Sequence, residues 1–184
     1  MNGRGGFIAA IFLVVFGLAI GGGSVRASPL VADYPGSKAL ATVLAKAADA
    51  YEETSVRIPP HVARQDLLLL ALNVYYEARG EGISGKAAVA HVTLNRLKDD
   101  RWPPTLAGVI MQPSQFSWTR KPPKIEDWEA LKASVVVAAR AMSGNLRDRT
   151  GGALYFHAAR LGSPKWAQGL TRLAQIGEHT FYTD

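Results

Sequence analysis

A chain of 184 residues, 48% of them hydrophobic, has material for one sizeable core and excludes two full domains. Its formal charge of +6 suits an anionic polymer or a membrane surface, although the basic residues are scattered rather than clustered. With no cysteine anywhere, disulfides and thiolate chemistry are excluded and stability rests on the core.

The first 27 residues stand apart: Arg4, an apolar stretch from Phe7 to Ile20, then GGGSVRA, with Val25 and Ala27 at the −3 and −1 positions of a cleavage site. This is the pattern of a secretory signal peptide. An uncleaved anchor is the rival reading, but a span needs about 20 apolar residues and the stretch is shorter. Export to the periplasm, cell wall or medium is therefore expected, with nucleic acid excluded as a partner and the membrane touched only through an uncleaved leader. Removal of the leader takes Arg4 and Arg26 with it and leaves the rest basic.

Residues 28 to 60 read as an N-terminal extension with one amphipathic helix, in which Ser37 serves as cap and Leu40, Val43, Leu44, Ala47 and Tyr51 follow helical spacing. The helix either packs on the following body or serves a separate partner. Ile58, Pro59 and Pro60 break the chain before that body, residues 61 to 184.

The stretch from Gln65 to Gly82, QDLLLLALNVYYEARGEG, is apolar nearly all round and predicts a buried central helix. Leu70, Asn73, Val74 and Glu77 share one of its faces, which puts a carboxyl among apolar neighbours near the helix end. Desolvation and the negative end of the macrodipole both raise the pKa of such an acid. A carboxyl kept neutral can donate a proton, so Glu77 is the candidate catalytic acid. The alternative, a structural acid paired with Arg79 or Arg96, stays open at this level.

Ser84 is expected to cap a second helix carrying Ala87, Ala90, Leu94 and Leu97, and Thr105 a short one over LAGVIM. SQFSWTRKPPK has no regular period and predicts a functional loop. A further helix runs from about Asp127 to Met142, with Gly144 beyond its end. ALYFH reads as a short strand, and Leu173–Ile176 and His179–Tyr182 as a hairpin turning at Gly177-Glu178 in a type II′ turn. Helices first and short strands last make an α+β fold with a small antiparallel sheet near the C-terminus.

The four histidines, at 61, 91, 157 and 179, have no close ligand spacing, so no metal or cofactor is expected. His91 sits among small apolar residues and is read as core, whereas His157 ends a strand that can face a cleft. No serine has a nucleophile-elbow context. Phe116, Trp118, Tyr155 and Phe156 fall in or beside the loop and strand, where aromatic faces can pack on sugar rings. Gln115, Ser117 and Asn95 have the chemistry to bond hydroxyl and acetamido groups. Core packing is the competing reading for each aromatic.

NVYYEARGEGISGKAAVAHVTLNRL from Asn73 to Leu97, WPPTLAGVI followed by QFSW, GGALYFHA, a segment around Trp166, and IGEHTFY occur in order. On these blocks the chain resembles the SleB-like cell wall hydrolases from Leu67 to Tyr182. The resemblance implies a mainly helical, lysozyme-like domain that cleaves peptidoglycan glycan strands, with Glu77 of the EARGE motif as catalytic residue. Glu81, the second acid of that motif, takes a structural or substrate-orienting role. A peptidoglycan-binding repeat is not recognisable ahead of the catalytic part, so general wall remodelling rather than spore cortex specificity is implied.

The expected reaction is a lytic transglycosylase cleavage of the MurNAc–GlcNAc bond by a monomer. Glu77 acts first as acid and then as base on the MurNAc C6 hydroxyl, leaving a 1,6-anhydro end. The rivals are a hydrolytic muramidase with a second carboxylate, an amidase on the peptide stem, and a non-catalytic wall-binding module.

Overall fold

The computed structural model describes residues 37–184, so the leader and its cleavage site lie outside the described residues. Helix α1 spans Ser37–Glu52, α2 Arg64–Ala78, α3 Ile83–Leu97, α4 Leu106–Met111 and α5 Trp128–Met142. Strands β1 (Tyr155–Ala158), β2 (Thr171–Ile176) and β3 (His179–Thr183) follow, with short 3-10 turns at Ser117–Thr119, Ala159–Leu161 and Lys165–Ala167. The fold is α+β, mainly helical, with its sheet at the C-terminal end, as the order of patterns predicts.

Helix α2 is the central element. Leu67 to Leu72, Val74 and Tyr75 are all fully buried, and α1, α3, α4 and α5 pack around them. A helix apolar on every side has no other stable place. Helix α1 lays Leu40, Val43, Leu44 and Ala47 into the same core, so it packs on the body rather than standing free.

Local signals account for most boundaries. The Thr105 and Asp127 side chains accept hydrogen bonds from the amides of Gly108 and Ala130 and cap α4 and α5. Gly144 follows α5 at φ 71°. Ser84 does not cap α3. The helix begins two residues earlier than such a cap would set it, at Ile83, after an extended Gly82 whose carbonyl receives the Lys86 amide. The Lys86 ammonium then folds back onto the carbonyl oxygens of Ala78, Arg79 and Glu81. That buried cation satisfies carbonyls at the end of α2 and in the turn that leads to α3.

The sheet has the order β1-β3-β2, antiparallel throughout. Ile176 pairs with His179 across Gly177-Glu178, and Gly177 has φ 56° while Glu178 stays at negative φ, as a type II′ turn requires. Phe181, with Phe156, Ala174 and Ile176, packs on Ala88 and Val92 of α3. This small second core fixes the sheet beside the end of α2.

Candidate active site

Where α2 ends, a cleft opens in two halves of about 620 and about 580 Å³. Glu77, Ala158 and His179 line both halves, which puts the Glu77 carboxyl at their junction. Tyr76, Arg79, Pro123 and Arg160 border one half; Arg96, Ser114, Phe116, Tyr155 and Trp166 border the other.

Among the described residues no side chain hydrogen-bonds or ion-pairs with the Glu77 carboxyl. Burial pushes its pKa up to about 7, against a smaller downward pull from the Arg96 charge. The helix dipole is not the main cause, since Lys86 covers the α2 carbonyls. Neither arginine weighed as a structural partner holds Glu77. Arg79 bonds the Tyr75 hydroxyl and approaches Glu126, while Arg96 Nε donates to the Leu154 carbonyl at 2.7 Å. Arg96 lies buried against the rings of Trp102, Phe116 and Tyr155, and its Nη1 has no partner.

Of the other residues singled out in the sequence, Gln115, Phe116, Tyr155 and His157 line the cleft. Both ring nitrogens of His157 are occupied, by the Ala158 carbonyl and the Tyr182 hydroxyl at 2.9 Å each, so it contributes a wall rather than a free polar group. Trp118 is not brought to the cleft. It is buried, stacked on Tyr76 at 4.9 Å, and donates from Nε1 to Asn73, which also bonds Thr93. With the Tyr76 hydroxyl donating to the Pro123 carbonyl, this clamp fastens the loop to α2. Asn95 also lies outside the cleft, bonded to Asp148 and to the Ala153 carbonyl. Ser117 is exposed and lines neither half.

The Glu81 carboxylate is taken up by the β2–β3 hairpin. Its Oε1 accepts from the Glu178 amide at 2.7 Å and meets His179 Nδ1 at 3.0 Å. A Cβ on Gly177 or Gly85 would collide with this carboxylate, so both glycines make room for it.

Residues 80–182 match the family described as Cell Wall Hydrolase, a stretch that holds Glu81 and most of the cleft wall and begins just past Glu77. The chain belongs to the cell wall hydrolase family. Spore cortex-lytic enzymes from Halalkalibacterium halodurans and Oceanobacillus iheyensis are 32% and 34% identical to it over 70% and 69% of its length. The chain spans under half of each, 38% and 45%. Among solved structures, it is similar to the catalytic domain of the germination-specific lytic transglycosylase SleB from Bacillus anthracis. The TM-score is 0.55 at 32% identity, covering 68% of this chain and all of that one. The catalytic domain of Bacillus cereus SleB matches with the same score over 71% and 100%.

Within this family fold the cleft also uses residues that spacing did not single out as site residues. Ser114, at φ 67°, is the one non-glycine residue at positive φ among those described, and no residue-type pattern marks it. Trp166, half exposed, packs edge-on against His157 and Tyr182 as an open aromatic platform. Arg96 had a detectable signal: a cation one turn beyond Val92 on the buried face of a helix is costly unless it serves something.

Proposed function

We propose that this cell wall hydrolase is a lytic transglycosylase acting on peptidoglycan at the MurNAc–GlcNAc bond, exported to the periplasm, cell wall or medium. The observation that carries the reading is an unpaired, desolvated carboxyl at the centre of an aromatic-walled cleft, protonated near neutrality. The name of the Bacillus anthracis neighbour adds to it. Glu77 gives its proton to the glycosidic oxygen, and the MurNAc C6 hydroxyl attacks the anomeric carbon. The aglycone leaves as an alcohol and a 1,6-anhydro ring closes. The ionised Glu77 then accepts the hydroxyl proton.

A hydrolase with two carboxylates needs a second acid free to act across the bond. Glu81 is engaged by the hairpin, which favours the internal hydroxyl as nucleophile.

The test is mass spectrometry of digested peptidoglycan. Anhydro-muropeptides, about 18 mass units lighter than hydrolysed ones because no water adds to the new end, are expected. Glu77→Gln should lower the rate by on the order of 10² to 10⁴ while leaving the variant folded and able to bind glycan. Reducing ends would replace the transglycosylase by a muramidase, and a fully active Gln variant would remove both.

A further inference from the structure

The two halves of the cleft differ in chemistry. Phe116, Tyr155 and Trp166 border one of them, which suits the apolar faces of sugar rings. The other offers no such open face: Tyr75 is fully buried, and Tyr76 is stacked on Trp118 with its hydroxyl committed to the Pro123 carbonyl. It is bordered instead by exposed cations from three segments, Arg79, Lys124 and Arg160.

Each cation stands on fastened backbone. Arg79 directly follows α2, with its guanidinium over the Tyr75 ring at 5.7 Å, and Lys124 directly follows the clamped Pro123. Arg160 lies in the turn after β1, where the Ala159 amide donates to the Glu178 carbonyl at 2.7 Å and ties that turn to the hairpin. Arg79 has an acid within reach, Glu126 at 3.6 Å. Among the described residues, the Lys124 ammonium and the Arg160 guanidinium have neither an ion pair nor a hydrogen bond. Besides Glu77, the acids on this wall are Glu126, which faces Arg79, Glu81, which the hairpin holds, and Glu178, whose side chain is uncommitted.

Cleavage places a MurNAc ring at the junction of the halves, beside Glu77. The hydroxyl and acetamido groups of the glycan are uncharged and call for no cation. Charge enters through the peptide stem, which grows from the lactyl group of that same ring and carries free carboxylates. Cations without partners, next to the reacting carboxyl, are placed to receive them.

We propose that this wall is a subsite for the peptide stem, binding its carboxylates through Lys124 and Arg160, so that the enzyme prefers MurNAc carrying a charged stem. The inference rests on the transglycosylase reading and adds the side branch of the substrate to it. The lactyl carboxylate that is bared when a stem is removed has the same chemistry, and the choice of substrates separates the two sources.

The experiment compares full-length wild type with the double variant Lys124→Glu/Arg160→Glu on soluble glycan strands of three kinds: stem-bearing, stem-bearing with the carboxyls converted to amides, and stripped of stems by an amidase. Anhydro ends and thermal melting are followed. Wild type should show a kcat/KM at least about threefold higher on stem-bearing strands than on either other kind, and the advantage should fade at about 0.5 M salt, as exposed charge pairs do. The double variant should melt with wild type and lose the advantage, its ratio falling to about one or below. Equal or faster cleavage of amidated strands by wild type overturns the proposal, as does a ratio that the folded variant leaves unchanged. Faster cleavage of stripped strands gives the cations to the lactyl carboxylate and overturns the stem assignment. If the variant does not fold, the amidated strands with wild type decide. Those failures would leave anhydro ends on stem-bearing strands, whereas failure of the functional reading itself would appear there as reducing ends or no cleavage.

Discussion

At the scale of single residues, the behaviour of Glu77 depends on what it lacks. A carboxyl with an ordinary value of 4.5 in the unfolded chain and about 7 in the folded one binds an extra proton in the folded state between those values. Stability therefore falls as pH rises through that window and levels off above about pH 7. At about 1.4 kcal/mol per unit, the whole effect is at most about 3.5 kcal/mol. Glu77→Gln removes the titration, so its melting temperature should exceed that of wild type at pH 8 and match it near pH 4. A structural, paired acid would give the opposite result, with the Gln variant the less stable at pH 8. The same protonation state is the active one, so activity should decline above about pH 7. Arg96 holds the value down, and Arg96→Gln should move that decline to higher pH in a pH–rate profile, whatever it does to the overall rate.

At the scale of elements, the β2–β3 hairpin and the start of α3 are joined by one carboxylate. Glu81 holds the Glu178 amide and His179 at a sequence distance where only tertiary structure can bring partners together. Gly177 permits this twice over: its φ is 56°, and a side chain there would meet the Glu81 carboxyl. Gly177→Ala should cost about 1 to 3 kcal/mol, read from denaturant unfolding. An unchanged midpoint would show that the hairpin does not depend on this latch. The hairpin itself was legible from the Gly-X pair between two apolar runs, and α4 and α5 from Thr105 and Asp127. The start of α3 was not: its cap is Gly82, without a side-chain bond, and the turn before it is held by Lys86 reaching carbonyls up to eight residues back.

At the scale of the molecule, α1 belongs to the core that holds α2 in place. Deleting residues 37–54 would expose the leucines of α2 that Leu40, Val43, Leu44 and Ala47 now cover. At about 1.5 to 3 kcal/mol for each large apolar side chain, the loss is a substantial share of a domain's stability. The truncated chain should melt at least about 10 °C lower or lose cooperative unfolding by circular dichroism; an unchanged melt would make α1 an independent appendage. The sequence by itself determined most helix and strand positions, the buried character of α2 and the place of Glu77 on an apolar face of it, because apolar spacing and most caps act within a few residues. Only the tertiary structure decided which polar groups remain free. Glu77 and Glu81 lie four apart, yet α2 ends at Ala78 and the second carboxylate is taken by a hairpin 97 residues away. Trp118 and Asn95 spend their hydrogen bonds on holding loops, and the Glu77 carboxyl is left in the cleft. A buried polar group must find a partner, and long-range folding alone determines which groups have found one and which remain to meet a substrate.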